Sequence, residues 1–92
     1  MIVEWTPRAS RELTDQLRFI ALDKPSAAYR MAELVEDSTS LLRNWPDLGK
    51  KGRMPNSFEL VIARTPFVAV YRRSADRIII LRLFHCAQQI GR

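Results

Sequence analysis

The side chains in this sequence best suited to chemistry are a lone imidazole and the cations that flank it. His85 ends an apolar run that also carries Arg82, Arg64 ends an earlier run, and Lys50, Lys51 and Arg53 crowd a short glycine-bearing stretch. An imidazole titrates near neutrality and can give or take a proton. Clustered guanidinium and ammonium groups bind phosphates and carboxylates. Gathered at one rim of a small domain, these six residues would suit a polyanion or an acidic protein partner. Gln88, three residues past His85, adds a weaker hydrogen-bonding candidate.

Composition limits what such a rim could belong to. With 92 residues, 47% hydrophobic and 27% charged, the chain reads as one globular domain over residues 1–92 rather than a disordered tail. Fifteen basic residues, most of them Arg, against ten acidic ones leave a net charge of +5, a surplus that also serves solubility. Cys86 is the one cysteine, which excludes an intramolecular disulfide, and no Cys or His stands at metal-ligand spacing from it. These features predict no metal, no cofactor and a reducing cytoplasmic setting. The opening Ile2-Val3-Glu4-Trp5 lacks the basic-then-apolar pattern of a signal peptide, and no apolar run approaches the ~20 residues of a membrane span. Neither secretion nor a membrane partner is expected.

The elements that must position the cations follow from periodicity. Residues 2–5 read as a short strand. Thr6-Pro7 is a helix start, with a hydroxyl to cap free N–H groups and a proline that loses no hydrogen bond there. A helix over residues 7–22 follows, with Ala9, Leu13, Leu17, Ile20 and Ala21 on one face and Arg8, Arg11, Glu12, Asp15 and Arg18 on the other. Asp23-Lys24-Pro25 breaks it and opens a second helix, whose stripe Ala28, Met31, Val35, Leu42 and Trp45 runs until Pro46. Residues 47–56 read as an exposed basic loop. Three strands are then expected over residues 57–64, 67–73 and 77–84, rich in Val, Ile, Phe and Tyr and parted by short breakers. The fold class is therefore α+β: a short N-terminal strand, a helical hairpin, then a three-stranded antiparallel meander whose sheet packs on the helices. Simple alternation puts Phe58, Leu60, Ile62 and Arg64 on one side of their strand, and Ile78, Ile80, Arg82 and Phe84 on one side of theirs.

This order of elements resembles the RelE/ParE superfamily of toxins from bacterial type II toxin–antitoxin modules. The landmarks are Trp5-Thr6-Pro7-Arg8-Ala9, the basic Gly49-Lys50-Lys51-Gly52-Arg53, Phe58-Glu59-Leu60-Val61-Ile62, the run from Pro66 to Arg72, and Ile80-Leu81-Arg82-Leu83-Phe84-His85. The resemblance covers nearly the whole chain. It implies a growth-arresting toxin neutralised by a cognate antitoxin whose acidic or amphipathic tail would cover the basic surface.

The superfamily divides by target, and the resemblance implies a choice between two. RelE-like members cut ribosome-bound mRNA; ParE-like members poison DNA gyrase, a role tied to plasmid stabilisation. RNA cleavage by a neighbouring 2′-hydroxyl needs a base, an acid and cations for the charged transition state. On that reading His85 would be the acid or base, Arg64 and Arg82 would hold the scissile phosphate, and Lys50, Lys51 and Arg53 would bind adjacent phosphates. The departure lies in the partner groups: Tyr71 sits mid-strand and Tyr29 in the second helix, so neither matches the tyrosine that RelE carries in a C-terminal extension. The reading favours a ParE-like gyrase inhibitor over an mRNA endoribonuclease, with a non-toxic antitoxin-binding module as the third possibility.

Overall fold

Thr6 and Pro7 start the first helix as their types require. The Thr6 hydroxyl accepts a hydrogen bond from the Ala9 N–H at 3.1 Å, and proline occupies the first turn. In the computed structural model, which describes residues 1–86, this helix is α1, Pro7–Asp23, preceded by strand β1, Ile2–Trp5. Lys24 separates it from α2, Pro25–Ser40, and the two form the expected hairpin.

The second helix ends earlier than the apolar stripe implied. Thr39 and Ser40 donate their hydroxyls back to the carbonyls of Val35 and Asp37, at 2.8 and 2.9 Å, the local competition that makes Ser and Thr poor helix interiors. The chain tightens there into a 3₁₀ turn, Leu41–Arg43. Leu42 remains in the core, whereas Trp45 is 60% exposed.

The remaining strands are β2, Lys50–Lys51; β3, Phe58–Val61; β4, Phe67–Arg73; and β5, Arg77–His85. The sheet has five strands in the order β1-β5-β4-β3-β2. The meander is present as expected, but β1 joins it in parallel beside β5, with Ile2 opposite Arg77 and Trp5 opposite Ile80. Parallel neighbours need a long crossover, and the helical hairpin begins it. Strand β2 lies inside the stretch read as loop, pairing Lys50 with Glu59 and Lys51 with Phe58.

The core lies between the hairpin and one face of the sheet. Leu60, Ile62, Phe67, Ala69, Tyr71, Ile78, Ile80 and Leu83 meet Ala9, Val35 and Leu42. Each large side chain fully buried this way contributes roughly 1.5–3 kcal/mol. Tyr71 also reaches under the basic loop: its hydroxyl donates to the Pro46 carbonyl at 2.8 Å and accepts from the Gly49 N–H at 2.9 Å. Gly49 is required by this close approach, since a Cβ there would sit 2.7 Å from the Tyr71 oxygen. The stretch expected to be an exposed basic loop is thus anchored at its start by a buried phenol.

Candidate functional site

The placement of Arg82 is decided by one extra residue in β5. Along the β4–β5 ladder Tyr71 pairs with Ile80 but Val70 pairs with Arg82, leaving Leu81 as a bulge. Ile78, Ile80 and Leu83 all belong to the core, so a spacing of three replaces strict alternation. Arg82 and Phe84 consequently lie on the face away from the core, not with Ile78 and Ile80 as uninterrupted alternation predicted. His85 pairs with Phe67, itself a core residue, and returns to the helix side. The bulge thereby moves Arg82 off the core face and His85 onto it, and their odd spacing keeps the two on opposite faces of the sheet.

Arg82 is also occupied. Strand β1 ends opposite Ile80, and beyond that point the start of α1 serves the edge of β5. Thr6 donates its N–H to the Ile80 carbonyl and its hydroxyl to the Leu81 carbonyl, at 3.0 and 3.2 Å. Glu12 then accepts the Leu83 N–H at 3.0 Å. The same carboxylate accepts from Arg82 Nε at 2.9 and 3.1 Å and lies 2.7 Å from its Nη2. The guanidinium stacks over the Phe84 ring, 4.3 Å from its centroid. A cation chelated by a carboxylate and seated on an aromatic face is poorly disposed to take up a phosphate.

The other candidate residues divide between the ends of the sheet. Arg64 sits in the β3–β4 turn with φ 64, a left-handed conformation uncommon for any residue other than glycine, and is exposed without an ion pair among the described residues. Thr65 stabilises that turn, donating to the Ile62 carbonyl at 2.8 Å and accepting from the Phe67 N–H at 3.1 Å. Cys86 N–H donates to the Pro66 carbonyl at 2.6 Å, which ties the end of β5, and His85 with it, to the same end of the sheet. The half-buried His85 ring meets Phe67 edge-on, centroids 6.3 Å apart. Gln88 lies outside the described residues.

Lys50 belongs to the row Lys50, Glu59, Val70, Arg82 that crosses four strands. Three strand spacings put it roughly 14 Å from Arg82. Arg53 lies beyond the start of β3, away from Arg64, with its N–H on Glu59 at 3.1 Å and its Nε 3.9 Å from the same carboxylate. Lys50 and Lys51 are exposed and form no ion pair among the described residues. Thus Arg64 and His85 share an end, Lys50 and Arg82 share a face, and the six residues do not converge on one point.

Glu12 is the side chain at this site that the sequence reading left on a solvent face. Its signal was slight: a carboxylate one turn after Arg8, with which it keeps a loose 4.0 Å pair. Arg72 and Arg73 are read from the sequence only as the end of a strand, without a binding role. They extend the basic surface at the far end of β4, Arg72 donating to the Pro55 carbonyl at 3.4 Å and Arg73 pairing with Asp47. Among the described residues no cluster of His, Cys, Asp or Glu could hold a metal ion, and no helix is long and apolar enough to cross a membrane.

Comparison with known proteins places this geometry. The family model described as ParE toxin of type II toxin–antitoxin system matches residues 3–90. Y4kP of Sinorhizobium fredii is 36% identical over 87 residues, covering 95% of this chain and 90% of its own length. Toxin RelE3 of Caulobacter vibrioides is 33% identical over 89 residues, covering 95% and 96%. Among solved structures, the chromosomal ParDE system from P. aeruginosa superposes with a TM-score of 0.83 at 23% identity, covering 92% of this chain and 95% of that one. The RelBE2 toxin–antitoxin complex of Mycobacterium tuberculosis gives 0.62 at 25% identity, covering 91% and 95%. With a match from Val3 nearly to its last residue, the chain belongs to the ParE toxin family, within the RelE/ParE superfamily of type II toxin–antitoxin toxins.

Proposed function

We propose that this toxin arrests growth as a ParE-like inhibitor of DNA gyrase, acting through a contact surface in the cytoplasm rather than by cutting mRNA, and that a cognate antitoxin holds it inactive. The observation that carries this reading is the fate of Arg82. A ribonuclease would need a proton-transfer group and free cations around one phosphate. Here Arg82 is neutralised by Glu12 and faces away from His85. The family model, described for ParE toxins, supports the same side of the choice. Relatives named for RelE and RelBE keep ribosome-dependent cleavage as the second reading, for which Arg64 and His85, sharing one end of the sheet, would be the residues to test.

Induction of the toxin without antitoxin separates the two. Growth arrest with double-strand DNA breaks and no new mRNA 5′ ends is the expected result, and His85→Ala should keep its toxicity. New in-frame 5′ ends that vanish in His85→Ala would establish the ribonuclease instead. Growth-neutral expression of folded protein would leave only a non-toxic binding module.

A further inference from the structure

The helical hairpin turns two stripes of opposite charge to solvent. On α1, Arg11, Asp15, Arg18 and Leu22 recur at four-, three- and four-residue steps; on α2, Tyr29, Glu33 and Glu36 recur at four and three. Each set therefore lines one side of its helix, away from Ala9, Leu13, Ile20 and Val35, which pack in the core. All seven residues are exposed. Among the described residues Arg11, Arg18, Glu33 and Glu36 form no ion pair, and Asp15 stands between the two arginines of its own helix. The α1 stripe is thus net basic and the α2 stripe acidic. Residues 7–40 hold five basic and six acidic residues, so the hairpin carries −1 in a chain of net charge +5. It is the part of the molecule that can meet a like copy without charge repulsion.

The closed end of the hairpin adds apolar surface. Leu22 is 86%, Tyr29 76% and Phe19 73% exposed. Together they offer on the order of 400 Å², about half of what one partner in a standard interface buries, and a concentration of this kind marks an interaction surface. Between the helices runs a groove of about 280 Å³ lined by Leu17, Ala21, Ala28, Tyr29 and Ala32, whose small side chains leave room for a projecting one. A two-fold axis along the hairpin lays α1 of one copy antiparallel on α2 of the other. Counted from Lys24, Arg11 and Glu36 stand 13 and 12 residues away, which at about 1.5 Å per residue puts Arg11 level with the partner's Glu36. Arg18 and Glu33, 6 and 9 residues from Lys24, differ by about 4.5 Å along the axis, within reach of two long side chains. Leu22 comes beside the partner's Tyr29 at the mouth of the groove. Laying α1 on α1 instead would oppose arginine to arginine, so the charges select the first arrangement.

We propose that the hairpin face is a docking site for a second copy of this chain, joined two-fold with α1 on the partner's α2, Leu22 in the partner's groove, and Arg11 and Arg18 against the partner's Glu36 and Glu33. Lys50 and Arg82 lie on the sheet face away from the helices, so this dimer leaves both basic sheet faces uncovered and turned outward. Each charge pair occurs twice by symmetry, which doubles the effect of any substitution in it.

Sedimentation equilibrium of the free full-length toxin tests this, with each variant verified as folded by circular dichroism. The 10.7 kDa chain should reach a reversible dimer whose dissociation rises with salt. Leu22→Glu should raise the dissociation constant roughly tenfold or more, since it puts a charge into the partner's groove. Arg18→Glu and Glu33→Arg should each raise it roughly tenfold. Both reversals in one chain restore the pair across the interface and should return it to within about threefold of wild type. These positions are exposed, so folding is kept; the charge reversals decide the matter even if Leu22→Glu does not fold. A wild-type toxin monomeric at all concentrations would overturn the proposal, and so would a dimer that Leu22→Glu leaves unchanged. A double reversal no better than the single ones would overturn the arrangement of α1 on α2. A monomeric toxin whose antitoxin affinity falls in Leu22→Glu would give the hairpin face to the antitoxin and overturn the second copy.

Discussion

Glu12 and Arg82 are joined by two hydrogen bonds and a 2.7 Å ion pair, although 70 residues separate them in the chain. The same carboxylate closes the edge of β5 by accepting the Leu83 N–H. One side chain therefore completes the sheet where β1 stops and removes from the surface the arginine that most resembled a phosphate ligand.

Glu12→Ala should destabilise the protein by about 1–3 kcal/mol, because it strands both a charged group and a backbone donor in a partly buried place. Glu12→Gln keeps an acceptor for the Leu83 N–H and should cost less. Urea unfolding of the two variants gives the ordering, and equal losses would show that the backbone bond contributes little.

Deleting Leu81 removes the bulge and leaves Ile80, Arg82 and Leu83 alternating on their present faces, opposite Tyr71, Val70 and Ala69. The expected outcome is a folded protein that keeps a cooperative thermal unfolding transition, lowered because Thr6 loses the Leu81 carbonyl to which its hydroxyl donates. Leu81→Ala preserves the residue count and should cost only about 1 kcal/mol. A deletion variant without a cooperative transition would mean that the bulge itself is needed to bring β5 against α1.

Tyr71→Phe should cost about 1–2 kcal/mol, since the Pro46 carbonyl and the Gly49 N–H lose their partner. Burial raises the Tyr71 phenol above its ordinary value of 10.0, an effect partly opposed by the bond from Gly49. A pKa raised on folding contributes stability that is complete below the unfolded value and lost as pH climbs through the folded one. Wild-type stability attributable to Tyr71 should accordingly hold through neutral pH and fall above about pH 10, a decline absent from Tyr71→Phe. Urea midpoints between neutral pH and pH 11 measure both.

The sequence by itself determined the elements and their class. The cap at Thr6, the apolar stripe of α1 and the run at residues 67–73 are local properties, set by side-chain type and period, and they reappear in the fold nearly residue for residue. The early end of α2 was less legible, because a hydroxyl such as that of Thr39 can either stay in a helix or bond back to it. Only the tertiary structure decided where the charged side chains stand. Alternation assigns faces correctly until an extra residue enters the ladder, and whether Leu81 bulges depends on the pairing of β5 with β4 and on α1 meeting the free edge beyond Ile80. That one register shift moves Arg82 off the core face and His85 onto it, and the contact with Glu12, 70 residues away, follows from long-range packing that no local period encodes.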